Sequence, residues 1–377
     1  MLGSSISLCI SIFHGREAPE EGVLVGYGAL INAMALNIPM PTTLSIISKK
    51  NRQYTTAAWK VFTPRHQPTD KLYNHLVFAF KYEGLNLICI KKIFEALSES
   101  EIIKIIQQEP QGKYSRKIWF LYEWLFQKQL KISNLKTGNY IPLVNNKLQY
   151  ALEKGVNSSR HRITNNLPGT VNFCPLIFKT KKLEQFIKQN ISIKINSQII
   201  NTNKDILLRT SVFLLLKDSK ASFTIEGENP QPSRAMRWAK VIGEAGKNEL
   251  TKEELIRLQQ IVIDSNKFLK FGYRQQEGFI GEHDRDTFQP LPNHISAKFK
   301  DVEVLMAGLW QTNNLMALNN FNAVLNAASI AFGFVFIHPL VDGNGRLHRY
   351  IIHHILSKNN FTPQGIIFPI SASILQN

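Results

Sequence analysis

Cysteine is nearly missing from this chain. Three thiols, Cys9, Cys89 and Cys174, are scattered along 377 residues with no C-x-x-C pair. That argues against a disulfide framework or a structural zinc site and suits a reducing compartment such as the cytoplasm. Long apolar runs are missing too. None approaches the roughly 20 residues that a membrane span needs, so no membrane partner is expected. The mildly apolar opening, residues 1–13, lacks the basic start of a secretion signal and runs directly into His14, Arg16 and Glu17. No repeat with a period of about 20–50 residues is visible. Acidic residues are scarce: 28 Asp and Glu stand against 45 Lys and Arg, for a net charge of +17. The surplus favours polyanionic partners (nucleotides, nucleic acid or acidic protein faces) without choosing among them. A solubilising, lysine-rich surface explains it equally well. Apolar content is ordinary, 44% hydrophobic and 10% aromatic. That is enough to build cores in two or three domains and to exclude disorder over most of the length.

The pattern along the chain is mostly helical. Ala29–Leu36 is a short apolar segment closed off by Pro39 and Pro41. Residues 58–63 suit a strand. Leu72–Leu97 has helical spacing that Gly84 divides, and Ser98 with Glu101 forms a capping-box pattern that opens the next helix. Tyr114–Lys131 predicts a further helix with a broad apolar face. Residues 132–178 carry Gly138, Pro142, Gly155, Pro168, Gly169, Pro175 and polar clusters, and predict a long connection laid over the surface. Helical periodicity returns at Lys181. Leu207–Leu216 is apolar nearly all round, so burial is expected. The organisation expected is a ragged start at 1–17, a helix-rich accessory domain at 18–140, a connecting region at 141–204 and a catalytic-type domain at 205–377, the whole mainly α.

The chemistry concentrates at 320–350. Phe321 to Val335 predicts a hydrophobic helix, which Pro339 stops so that His338 stands at its end. Asp342-Gly343-Asn344-Gly345 permits a tight loop with positive φ, and a second helix follows. A glycine-rich loop feeding a helix N-terminus favours phosphate, and Arg346 and Arg349, three residues apart, share a face beside it. Taken singly, each feature has a bland reading as a cap, a turn or a solvated face. Together they place one base, one carboxylate, a phosphate cradle and two guanidiniums within twelve residues. No G-x-x-x-x-G-K-S/T loop occurs, the third glycine of a dinucleotide fingerprint is replaced by His348, and His348, His353 and His354 contain no i, i+4 zinc pair. Those three histidines predict packing or surface roles.

This stretch resembles the Fic family signature, H-x-F-x-D/E-G-N-G-R-x-x-R. It agrees at His338, Asp342, Gly343, Asn344, Gly345, Arg346 and Arg349, with Leu340 where the family usually has Phe. Phe279-Ile280-Gly281, followed by Phe288, Pro290 and Pro292, resembles the family's target-docking flap. Ser222-Phe223-Thr224-Ile225-Glu226-Gly227 fits its inhibitory pattern, S/T-x-x-x-E-G/N. The resemblance covers roughly 205–377. It implies a helical Fic core with a small β-hairpin flap near 277–290 and transfer of AMP from ATP to a Tyr, Thr or Ser hydroxyl of a protein, the chain itself included. His338 is then the general base and Asp342 the Mg²⁺ ligand. Gly343, Asn344 and Gly345 cradle the α- and β-phosphates through their amides, Asn344 adding its side chain. Arg346 takes the β-phosphate and Arg349 the γ-phosphate, unless Glu226 occupies Arg349. Glycine at both 343 and 345 separates the chain from a phosphate-transferring branch of the family.

Two other readings follow from the same residues. Some members remove AMP, with the inhibitory Glu orienting water. And because family members usually continue with more helices than the stretch from Arg349 to Asn377 holds, the chain also reads as a catalytically impaired Fic remnant acting as a basic interaction or regulatory protein. Lys179, Lys181, Lys182 and Lys188, with Lys91, Lys92, Lys113, Arg116 and Lys117, supply the charge for that reading. A nucleic-acid role needs them on one face.

Overall fold

The computed structural model describes residues 5–263, 270–363 and 365–376. The chain divides into two compact units, Met1–Leu167 with Leu176–Lys179, and Pro168–Pro175 with Thr180–Asn377. It is mainly helical, with a few small sheets.

The first unit holds β1 (Leu8–Phe13), β2 (Arg16–Val25), α1 (Gly26–Ala33), β3 (Leu44–Ser48), β4 (Tyr54–Thr55) and β5 (Trp59–Phe62). After these come α2 (Leu72–Phe78), α3 (Leu87–Glu95), α4 (Glu99–Gln107) and α5 (Lys113–Phe126), then the short strands β6 (Ile141–Pro142), β7 (Val156–Ser158) and β8 (Ile163–Asn165). The helices of this unit pack with a five-stranded sheet of order β1-β2-β3-β5-β4, of which the sequence revealed only β5. Val25, Ile47, Phe62 and Phe78 meet in its core. The Ser98 capping box forms with both of its hydrogen bonds, and Gly84, at φ +90°, separates α2 and its trailing turn from α3.

The stretch 132–178 is more than a surface connection. Leu143, Val144, Ile163 and Leu167 are buried, and β6-β8-β7 form a small sheet. Strands this brief leave no period to read. Two of the basic residues assigned to a charged face are interior: Arg116 donates to the Asn139 carbonyl (2.9 Å) and Lys117 to that of Leu143 (2.6 Å). They add nothing to a surface patch.

In the second unit, α6 (Lys181–Lys188), α7 (Ile191–Ile200) and α8 (Lys204–Ile225) lead into α9 (Pro232–Gly243) and α10 (Lys252–Val262). The hairpin β9 (Phe279–His283) and β10 (Pro290–Ile295) follows, then α11 (Val302–Leu318), α12 (Ala323–Ile337), α13 (Asn344–Lys358) and α14 (Ile370–Gln376). The core joins Phe223, Trp238, Leu258, Leu309, Phe334, Leu340, Leu347 and Ile351, among others. Residues 168–175 pack here: the Thr312 hydroxyl donates to the Phe173 carbonyl (2.6 Å), and the Phe173 ring fills the space beside Gly333.

The expected burial of Leu207–Leu216 does not occur. Leu208, Val212 and Phe213 are 66%, 52% and 64% exposed. Only the last turns of α8 are interior, where Asp218, Ser219, Ala221, Ser222 and Phe223 pack against α9, α13 and α14. An all-apolar helix states what it is able to bury. Whether a partner lies alongside is a property of the fold.

Four histidines are held neutral by burial: His75 and His161 in the first unit, His348 and His354 in the second, each lowered from 6.5 to about 4. Between those values the unfolded chain binds a proton at each and the folded chain does not, so stability is complete above pH 6.5 and falls as the pH drops towards 4. Each histidine contributes a slope of about 1.4 kcal/mol per pH unit in that window. Urea unfolding followed from pH 7 to 4 should show it, and the slope should shrink by one proton in a His354→Gln protein. A flat profile would contradict the burial argument.

Candidate active site

The turn between α12 and α13 carries the predicted constellation. The apolar helix α12 ends at Ile337, and His338 caps it in the left-handed region, at φ 54° and ψ 60°. A non-glycine residue there is strained by about 1–3 kcal/mol and must be held by its surroundings. Here the His338 N–H reaches the Phe334 carbonyl (3.0 Å), and the Arg274 Nε donates to the His338 carbonyl (2.8 Å). The same guanidinium donates to the carbonyls of Gln276 and Ala297, and the Arg274 N–H to that of Pro339 (2.9 Å). The imidazole is thus presented by a backbone that is clamped independently of the ring. Burial lowers its pKa below 6.5, partly opposed by the Val335 carbonyl.

Beyond Pro339, Leu340 is completely buried in the core, doing the anchoring that Phe does in the signature it resembles. Gly343 caps α13 at φ 92°, a conformation that favours glycine, and the helix starts at Asn344. The Asn344 side chain differs from expectation. Its Oδ1 accepts from the Leu340 N–H (3.0 Å) and its Nδ2 donates to the Leu340 carbonyl (2.8 Å), with the residue buried. The amide is committed to closing the loop and is not turned to a phosphate; only backbone N–H groups remain for that. The Asp342 side chain is half exposed, and its Oδ1 accepts from the Gly343 N–H (2.6 Å).

The end of α8 docks on this turn. Glu226 caps the helix, and its Oε1 accepts from the Arg349 guanidinium at 2.8 Å. Arg349 also donates to the Ser222 hydroxyl (3.1 Å from Nε) and to the Ser222 carbonyl (2.8 Å). Gly227 follows at φ 75° and turns the chain away. The Glu226 carboxylate lies so close to Gly345 that any Cβ there would strike it. It therefore covers the first turn of α13 as well as Arg349. Burial lowers the Arg349 pKa, and its hydrogen bond to Glu226 opposes the shift.

The flap residues lie on β9: Phe279 half-buried, Ile280 and Gly281 exposed, with β10 paired antiparallel beside them. Their hairpin is tied to the end of α12 through His294 and the Phe336 carbonyl (2.9 Å).

Three contributors were missed from sequence. Arg274 clamps His338. Buried Gln259 donates to the Asp342 carbonyl and accepts from the Gly272 N–H, both at 2.8 Å. Glu228 accepts from Arg346 at 2.6 Å. Gln259 had a signal, an amide on the otherwise apolar stripe of Leu255, Leu258 and Val262. Glu228 had a weaker one, a second carboxylate two residues after Glu226. Arg274 had none.

Residues 249–356 match the family model described as Fic/DOC family. This segment belongs to the Fic/DOC family. Solved structures with similarity include a Fic domain containing signaling protein from Bacteroides thetaiotaomicron VPI-5482, with 18% identity over 51% of this chain and 79% of that one and a TM-score of 0.38. A Fic family protein from Desulfovibrio desulfuricans G20 has 18% identity over 52% of this chain and 63% of that one, with a TM-score of 0.40. The present chain thus spans less than two thirds of the length of the second.

The Fic segment contains His338, Asp342, the cradle and both arginines; the inhibitory-type stretch 222–227 lies upstream of it. Among the described residues, no group of three His, Cys, Asp or Glu side chains is arranged to hold a metal. A lone half-exposed carboxylate suits Mg²⁺, which takes one or two protein carboxylates and completes its shell with phosphate oxygens and water. Asp342 fits that donor role. His353 and His354 are held in the core: His353 meets buried Asp218 (3.1 Å), and His354 accepts from the Gly246 N–H (3.2 Å). No described helix is long and apolar enough to cross a membrane.

Proposed function

We propose that this protein transfers AMP from ATP to a Tyr, Thr or Ser hydroxyl of a protein and is restrained by Glu226. The observation that carries this reading is the meeting of Glu226 with Arg349 over the first turn of α13, in the same turn that presents His338. A carboxylate occupies the place where a nucleotide's phosphates bind at a helix N-terminus.

In the proposed reaction the hydroxyl oxygen attacks the α-phosphorus, the bond from that phosphorus to the bridging oxygen of the β-phosphate breaks, and pyrophosphate leaves. His338 takes the hydroxyl proton. Burial keeps the ring largely neutral at pH 7 and ready to accept it. The Asn344 and Gly345 N–H groups, joined by that of Gly343 once it leaves Asp342, receive the α- and β-phosphates, Arg346 the β-phosphate and Arg349 the γ-phosphate once Glu226 withdraws. Asp342 would hold Mg²⁺, which when bound neutralises phosphate charge. The β9 edge offers unpaired main-chain groups on which a target segment adds a strand. Three free thiols suit work in the cytoplasm.

Incubation with α-labelled ATP and a candidate target, or with the protein alone, tests the reading. Label should enter protein, and the acid limb of the rate should lie below pH 6.5, because the base is needed unprotonated and its pKa is lowered. A limb well above 6.5, or label that never enters protein although ATP binds, would count against transfer.

A further inference from the structure

Arg349 is not alone in being occupied. Arg346, 2% exposed, donates to the Glu228 Oε1 at 2.6 Å, and its second nitrogen reaches Asp342 at 3.4 Å. The other oxygen of Glu228, Oε2, accepts from Arg234 at 2.6 Å, and Arg234 is itself fastened to the Val262 carbonyl (2.8 Å). The ring of Phe223 lies against both guanidiniums, 4.7 Å from Arg234 and 5.4 Å from Arg346. The Glu228 N–H closes back on the Phe223 carbonyl (3.0 Å). Gly227, in the left-handed region, lets a three-residue turn aim Glu226 and Glu228 at different arginines.

We infer that Glu228 is a second brake, holding Arg346 as Glu226 holds Arg349. The inference rests on the proposed function, since it takes Arg346 as a phosphate ligand. Charge-assisted pairs of this geometry are strong and directional. A carboxylate and a β-phosphate compete for the same face of Arg346, so nucleotide entry must break this pair as well. Because Arg234 anchors Glu228 from the far side, loss of Glu226 does not release it. The two carboxylates therefore restrain the site separately, one at each arginine.

The measurement is ADP and ATP affinity of the full chain by calorimetry, in the parent, Glu228→Gln, Glu226→Gly and the double variant, with AMP incorporation alongside. ADP ends at the β-phosphate and so reads Arg346 without needing Arg349. Glu228→Gln is isosteric and removes the charge; it is expected to tighten ADP about tenfold, the scale of one charged hydrogen bond, and to do so again in the Glu226→Gly background. Should that variant fail to fold, Glu228→Asp carries the same readout, being too short to reach Arg234 and Arg346 together. Unchanged or weaker ADP binding in both backgrounds, with ATP still bound and AMP still transferred, overturns the second brake and leaves the proposed function standing. No binding of ADP or ATP by any form overturns both.

Discussion

A His338→Ala protein is expected to bind ATP as the parent does and to transfer no measurable AMP. In the proposed reaction the imidazole accepts a proton and makes no phosphate contact, so its loss falls on the transition state. Removing a general base costs about 100- to 10,000-fold. The turn should survive, because Arg274 holds the carbonyl of residue 338 and not its ring. Residue 338 has positive φ, so His338→Asn, which tolerates that region better than Ala, is the companion that separates chemistry from backbone strain. Both should show background incorporation with ATP affinity close to the parent. Weakened nucleotide binding with unchanged transfer would refute the assignment.

Glu226→Gly should raise self-modification well above the parent. Glu226 pairs with Arg349 and lies against Gly345, so under the proposed function it refuses the γ-phosphate at Arg349. On that proposal, nucleotide that binds despite this is turned, so that its α-phosphate misses the line of attack. Misplacement by about 1 Å can cost on the order of 100-fold in rate, and relief of that order is expected. Arg349 stays fastened to Ser222 after the change, so the guanidinium keeps its place. The double change with His338→Ala should erase the gain. AMP incorporation compared across parent, single and double variants decides it. Equal, low incorporation in all three with ATP bound in each would remove Glu226 as the brake.

Much of the geometry of the turn at 338–344 was legible because its parts are local. Pro339 ends a helix wherever it stands, Gly343 accepts positive φ, and a loop feeding a helix carries free amides; these depend on a few neighbouring bonds. The capping box at Ser98 and the break at Gly84 were readable for the same reason. The sheet of the first unit was not. Four of its five strands escaped, because β2 holds Glu17, Pro19, Glu20 and Glu21 and alternates poorly, and because a strand is defined by partners tens of residues away.

Legible in the residues alone were the helix stop at Pro339, the loop glycine at 343 and the pattern that puts a carboxylate four residues after Ser222. Each follows from side-chain type and spacing, which folding does not alter. Packing settled that Glu228 engages Arg346, that the Asn344 amide is used up on Leu340, that Arg274 clamps a residue 64 positions along the chain, and that the apolar start of α8 stays exposed. Hydrogen-bond donors and apolar faces carry no address. Which partner they meet is set when distant segments are packed together.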